Sequence, residues 1–276
     1  MNAPSRQTLT DRELRWLRNL ARHGPQSSEF LLEVSADTHR CRDTGQRTLQ
    51  KLRETGYLRR PPQQKQIAKA DFNPHVYDLT PQARLYHKWL GDPIPVRPQG
   101  HWGHSFLTAS ITSALAIAAG RQGYRYIPAH EILGRSGATL AVPVGREKLI
   151  PDALFAIQYQ TGFRSFVLEV DRGTEPLRSQ AARKSLQRSL RLYHNLAQQD
   201  HLRRHYTLKS PLLHLFAFTN PTRAARCLEM AKEVSPGLKD TLLVQTVPEG
   251  FPRYEGDRER VCGEWRRNRE RSMLVV

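Results

Sequence analysis

Two apolar runs of the chain carry carboxylates where a carboxylate is expensive: Pro151-Asp152-Ala153-Leu154-Phe155, and Phe166-Val167-Leu168-Glu169-Val170-Asp171-Arg172-Gly173-Thr174-Glu175. Both have the branched and aromatic content of β-strands, and a charge in a buried sheet is strongly unfavourable unless something pairs with it. Side chains alternate along a strand, so Val167, Glu169 and Asp171 share one face while Phe166, Leu168 and Val170 share the other. A neighbouring strand that brings Asp152 beside Glu169 and Asp171 gathers hard oxygen ligands of the kind that hold Mg²⁺ or Mn²⁺. A divalent ion so held activates water and offsets charge developing on a phosphate, which is the chemistry of a metal-dependent phosphodiesterase.

Each acid also has a structural role open to it. Asp152, after a proline, can end a loop and cap a turn. Glu169 and Asp171 can be neutralised by Arg172, Arg164 or Lys184 in an ion-pair network. Glu175 before Pro176 suits a helix N-terminus, as does Glu131. His104 either orients a metal ligand or makes an ordinary hydrogen bond from a helix face.

The whole-chain balance sets the partner. Of 276 residues, 43 are Lys or Arg and 26 are Asp or Glu, a formal charge of +17, with a pI near 10.3. That excess favours a polyanion through phosphate neutralisation and counterion release, and double-stranded DNA is the expected partner. No apolar run approaches the ~18 residues of a spanning helix, and no apolar signal stretch opens the chain, so a cytoplasmic protein without membrane contact is expected. Cys41, Cys227 and Cys262 are too widely separated for a zinc motif or a disulfide framework, and a reduced state is expected.

Positioning the acids requires a scaffold, and the sequence divides it at Gly91-Asp92-Pro93-Ile94-Pro95-Val96-Arg97-Pro98-Gln99-Gly100, a stretch that breaks helix and sheet alike. The expected organisation is a DNA-binding domain over 1–90, a linker over 91–100, an α/β domain over 101–248 and a basic tail over 249–276. In the first part, Leu14, Leu17 and Leu20 mark a helix from near Thr10 to Gly24-Pro25. A second helix spans Ser28 to Val34. The third opens at Asp43, with Gln46 placed for a capping box, buries Leu49 and Leu52, and stops at Gly56. Two strands, Tyr57 to Arg60 and Val76 to Leu79, and a helix from Thr80-Pro81 complete a winged helix-turn-helix. Its third helix presents Thr44, Gln46, Arg47, Gln50, Lys51 and Arg53, and its wing Arg59 and Arg60, as candidate DNA contacts. The phrase Leu49-x-x-Leu52-x-x-x-Gly56-Tyr57-Leu58, followed by Tyr77-Asp78-Leu79-Thr80, resembles bacterial winged-helix domains. A winged helix used only for protein contacts remains the alternative.

Beyond the linker the pattern is a helix from His101 to Ala119, strands at Tyr124–Pro128, Leu149–Gln158 and Ser165–Asp171, a basic helix over Pro176–Leu196, a strand at Leu212–Phe218, a helix over Pro221–Val234 and a last strand at Thr241–Val247. That alternation predicts an α/β layer with a mixed sheet.

From about Tyr124 to Val247 the chain resembles the restriction-endonuclease-like PD-(D/E)XK superfamily. Pro151-Asp152 stands in the place of the first acid, and Glu169-Val170-Asp171 in that of second acid, spacer and lysine. The resemblance implies that Asp152 and Glu169 hold Mg²⁺ or Mn²⁺ with the Val170 carbonyl. Asp171 stands where the lysine belongs, and a carboxylate supplies no positive charge to water or phosphate. Lys184, on the following helix, is the candidate to reach back and stabilise the phosphate, as migrated lysines do in some members, with Asp171 assisting the metal or the water.

A narrower resemblance joins both halves. His101-Trp102-Gly103-His104, the Pro151-Asp152 run, Leu168-Glu169-Val170-Asp171-Arg172-Gly173-Thr174-Glu175, Lys184 and Tyr193, all behind a winged helix, resemble the replication-relaxation family of plasmid and mobile-element proteins. This implies a role in plasmid replication, copy control or DNA transfer, with protein partners of those processes and a homodimer among the expected assemblies. Two functions follow: a sequence-specific DNA-binding protein with a Mg²⁺-dependent endonuclease or nickase domain, or a non-catalytic regulator with a degenerate nuclease fold. Other chemistries lack their residues. The chain has no His-hydrophobic-His strand triplet for a two-histidine relaxase and no phosphate-cradling Gly-x-x-x-x-Gly-Lys-Ser/Thr loop. Nor has it a visible nucleophile elbow, and Tyr193 on its basic helix is more simply a packing residue.

Overall fold

The computed structural model describes residues 9–38, 41–66, 71, 73–93, 96, 101–179, 185–198, 200–248, 253, 261–267 and 270–274. The chain divides into two compact units, one of Met1–Pro95, Gln99–Ile117 and Gly250–Gly256, the other of Val96–Pro98, Ala118–Glu249 and Asp257–Val276.

In the first unit, α1 (Asp11–His23) starts on a capping box: Thr10 Oγ1 accepts from the Glu13 N–H, and Glu13 Oε2 accepts from the Thr10 N–H at 2.7 Å. Two otherwise unsatisfied donors are thereby paired. There follow β1 (Gln26–Ser27), α2 (Ser28–Val34), α3 (Arg42–Glu54), β2 (Leu58–Arg59), β3 (Val76–Leu79) and α4 (Pro81–Trp89). β3 lies between β1 and β2 and is antiparallel to both. Trp16, Leu17, Leu20, Leu31, Leu49, Leu52 and Tyr57 close the core beneath these helices. The element order is the one a winged helix-turn-helix requires.

Two details of α3 matter. Its N-cap is Cys41, without a side-chain cap bond, so Asp43 falls inside the first turn and the expected Asp43/Gln46 capping box does not form. Its C-terminus is a Schellman motif: Tyr57 N–H reaches Leu52 O and Gly56 N–H reaches Arg53 O. Gly56 sits at φ +81°, where a side chain is strained.

The first unit extends further than the sequence suggested. α5 (Trp102–Arg121) contributes its portion up to Ile117 to this unit. The reason is a buried polar network: His23 Nδ1 meets Thr112 Oγ1 at 2.9 Å, Asn19 Nδ2 donates to Ser113 Oγ at 3.4 Å, and Ser113 Oγ to Gln26 Oε1 at 3.3 Å. Small polar residues spaced inside an apolar helix gave no sequence-level hint of that allegiance.

The second unit contains β4 (Arg125–Pro128), α6 (Ala129–Ser136), β5 (Val142–Val144), β6 (Glu147–Leu149), β7 (Ala153–Tyr159), β8 (Gly162–Asp171), α7 (Leu186–Gln198), α8 (His201–His205), β9 (Leu212–Phe218), α9 (Pro221–Val234), β10 (Leu242–Thr246), β11 (Glu264–Arg267) and β12 (Glu270–Met273). Seven strands form one mixed sheet in the order β12-β11-β10-β9-β8-β7-β4. β7 and β8 are joined by a tight turn and pair antiparallel, whereas helical crossovers make β8, β9 and β10 parallel. The α/β class and mixed sheet match the sequence reading. Its details differ in three places. α7 begins at Leu186 rather than Pro176, with Pro176–Ser179 irregular. The β5–β6 hairpin was not anticipated, and of α6 only the helix start at Glu131, which lies in its first turn, was read from the sequence. Part of the expected basic tail forms β11 and β12, anchored by the fully buried Trp265.

Candidate active site

The β7–β8 register decides where the acids meet. Ala153 pairs with Leu168 at the first position of β7, and Asp152 just before the strand donates its N–H to Leu168 O at 2.9 Å, which sets it against β8 beside Glu169. Both side chains are buried, at 8% and 6% exposure. Glu169 shares the sheet face of Val167, which packs in one cluster with Leu186, Leu190 and Tyr193 of α7.

Each acid is fixed by its own donor. Asp152 Oδ2 accepts from the Val170 N–H at 2.8 Å, which locks the end of β7 against β8. Glu169 Oε1 accepts from the Tyr193 hydroxyl at 2.6 Å, a charge-assisted bond in a buried setting. Tyr193 is wholly buried and is flanked edge-on by the rings of His214 and Phe216 at 5.2 and 5.7 Å. Burial, and then the charge of Glu169, push its phenol well above the usual tyrosine range, so it stays protonated and donates.

Asp171, at the end of β8 on the same face, is held differently. Arg223 of α9 grips it from Nε at 3.1 Å and Nη2 at 2.5 Å, and Gly173 N–H donates to Oδ1 at 2.6 Å. Arg223 Nη2 also donates to Glu175 O at 2.9 Å. The pair is largely shielded, at 15% and 13% side-chain exposure. Gly173 lies at φ +80°, the left-handed turn that folds the chain back over Asp171. At the start of α9, Asn220 Oδ1 caps the Thr222 and Arg223 N–H groups at 2.8 and 3.2 Å and so places the guanidinium.

The structure thus brings Asp152 and Glu169 together, and puts Asp171 two residues along on the same face in a bidentate ion pair. Val170 gives its N–H to Asp152. Lys184 lies outside the described residues. Among those residues no group of three or more His, Cys, Asp or Glu side chains is arranged to hold a metal ion. The donor chemistry of the Asp152–Glu169 pair nevertheless fits Mg²⁺ or Mn²⁺: carboxylates are hard oxygen ligands, and Mg²⁺ commonly takes one or two of them and keeps several waters. Tyr193 and Arg223 were missed as site residues. Tyr193 was read as packing, which it also does, and nothing in sequence spacing links Arg223 to an aspartate 52 positions earlier.

The candidate DNA face is partly engaged by neighbours. Thr44, Gln46, Arg47, Gln50 and Lys51 are exposed on α3, and Arg53 is half-buried. Thr44 Oγ1 contacts Cys41 Sγ, Gln50 donates to Glu54 at 2.8 Å, Lys51 pairs with Glu13 at 3.6 Å and Arg53 with Glu54 at 3.9 Å. At β2 Arg59 pairs with Asp78 at 2.9 Å, and Arg60 Nε, just beyond the strand, is buried without a partner. Arg47 makes no ion pair with any described residue. The solvent-facing Arg53–Glu54 pair is weak, so a phosphate competes with it readily, whereas Lys51 and Arg59 are tied to the buried carboxylates of Glu13 and Asp78.

No curated protein and no solved structure matches the chain. The sequence pattern of the family described as Replication-relaxation matches residues 17–211, more than half of the chain, and spans α3 together with both acid-bearing strands. The chain therefore belongs to the replication-relaxation family.

Proposed function

We propose that this protein binds DNA in the replication or transfer of a plasmid or mobile element and nicks or cleaves it at Asp152 and Glu169 with the help of a divalent cation. Family membership supports the biological setting, and the +17 charge supports the polyanionic substrate. The observation that carries the chemistry is the pair of buried acids Asp152 and Glu169, brought next to each other where Asp152 bonds the Val170 N–H, each fixed in orientation by its own hydrogen bond.

In this reading Asp152 and Glu169 would hold Mg²⁺ or Mn²⁺, which would supply Lewis acidity toward the phosphate and activation of water. Tyr193 holds the Glu169 carboxylate in place and stays neutral. Asp171 serves to seat Arg223, while Lys184 is the sequence candidate for the phosphate-stabilising cation. Thr44, Gln46, Arg47, Gln50, Lys51, Arg53, Arg59 and Arg60 contact duplex DNA through groove and backbone.

A second reading rests on a specific feature. Asp171, in the position expected of a lysine, is neutralised by Arg223, an arrangement equally suited to a regulator whose α/β unit has lost catalysis. Supercoiled plasmid incubated with purified protein in Mg²⁺, Mn²⁺ or chelator separates the two. The parent should convert plasmid to open circles with either metal, while Asp152→Ala and Glu169→Ala fall to the chelator level and Lys184→Ala is impaired. A parent that binds duplex but is inert in every metal would establish the regulator, and activity surviving both acid substitutions would place cleavage elsewhere.

A further inference from the structure

α4 is built with two faces. Thr80 Oγ1 caps it by accepting from the Ala83 N–H at 3.2 Å, and Pro81 occupies its first turn. Ala83 and His87 point inward and are buried. On the outer side two i, i+4 ladders run next to each other: Arg84 and Lys88 are exposed, and so are Leu85 and Trp89, at 65% and 63%. These last two are the most exposed large hydrophobic residues among those described.

The indole is not loose on the surface. Trp89 leans on Tyr86 with ring centroids 5.8 Å apart, and Tyr86 packs edge-on against the buried Tyr57 at 5.6 Å. A chain of rings thus runs from the core to an exposed aromatic platform. Neither Arg84 nor Lys88 forms an ion pair with a described residue, so two uncompensated cations flank that platform.

We propose that the outer face of α4, formed by Arg84, Leu85, Lys88 and Trp89, docks single-stranded nucleic acid. Charge decides the occupant. A second copy meeting this face across a two-fold axis would set Arg84 and Lys88 against their own images, whereas a phosphate backbone complements both. The aromatic decides between strand states. Bases in a duplex are already stacked on one another, but a single strand offers its base faces to an indole, and such stacking tolerates any sequence. The role goes beyond the duplex contacts assigned to α3, and it requires no cleavage at Asp152 or Glu169.

The test is fluorescence anisotropy of a labelled oligothymidylate of about 12 nucleotides, titrated with the full-length chain in chelator so that no metal chemistry intervenes. Trp89→Ala should weaken binding at least about fivefold, the lower end of what one lost base stack is worth. Trp89→Phe should recover most of it, because the ring face returns. Arg84→Ala with Lys88→Ala should flatten the plot of log affinity against log salt by about 1.4, from two lost phosphate contacts on a single strand. Duplex binding should be unchanged by Trp89→Ala and weakened by Arg47→Ala. Equal single-strand affinity of parent and Trp89→Ala would overturn the proposal, as would equal losses for single strand and duplex. It would also fall if Trp89→Ala changed only the oligomeric state in sedimentation, or only capture by phosphatidylglycerol vesicles.

Discussion

Removing one oxygen tests how Glu169 is held. Tyr193→Phe deletes a 2.6 Å hydrogen bond to a carboxylate at 6% exposure and leaves the ring packing between His214 and Phe216 intact. A hydrogen bond to a charged group contributes about 1.5–3 kcal/mol, and its loss leaves the buried Glu169 carboxylate with one donor fewer. The expected cost is about 2 kcal/mol at pH 7, a fall in melting temperature of roughly 4–8 °C. Glu169→Gln removes the charge while keeping an acceptor. A double-mutant cycle between the two positions should therefore show about 1 kcal/mol of coupling, measured by denaturant unfolding in chelator. A Tyr193→Phe shift below about 0.5 kcal/mol, or strict additivity with Glu169→Gln, would refute the claim that this hydroxyl supports the carboxylate.

The ion pair at the end of β8 makes a second expectation: Arg223→Ala strands Asp171 and should cost about 3 kcal/mol, with Arg223→Lys intermediate because an ammonium cannot grip both oxygens. Urea midpoints unchanged within about 0.5 kcal/mol would contradict it. The third concerns pH. His214 of β9 is 3% exposed, and burial pushes its imidazole down to about 4. The unfolded chain takes up that proton near pH 6.5 and the folded chain does not, so stability should fall as pH drops through the window from 6.5 to 4. His214→Gln should remove about 2 kcal/mol of the difference between pH 7 and pH 5, and an identical pH slope in parent and variant would show that His214 charges freely in the fold.

Much of this was visible in the residues, for physical reasons that also explain what was not. Asp152 and Glu169 stood out because a carboxylate in an apolar strand must be compensated, and strand alternation fixes its face without any knowledge of neighbours. Leu17, Leu20, Leu49 and Leu52 likewise announced the helices by period, and Gly56 announced the end of α3 by the left-handed turn it adopts. What failed depended on contacts distant in sequence. Tyr193 packs and donates at once, and its type reveals only the first. Arg223 is one of many arginines until α9 folds over β8. The α3 start was misplaced because Asp43 and Gln46 resemble a capping box, yet Cys41 takes the cap. β11 and β12 hid among charged residues because strands at a sheet edge need little apolar sequence, and a few buried side chains such as Trp265 supply the anchor.

The most direct measurement is Mn²⁺ binding to the full-length chain, followed through the loss of the free-ion paramagnetic resonance signal. The expected result is a single Mn²⁺ bound by the parent, competed by Mg²⁺, lost in Asp152→Asn and in Glu169→Gln, and kept in Asp171→Asn, whose side chain serves Arg223 instead. A parent that leaves the free-ion signal undiminished, or Asp152→Asn and Glu169→Gln variants that bind Mn²⁺ as the parent does, would contradict the assignment of these two acids as a metal site.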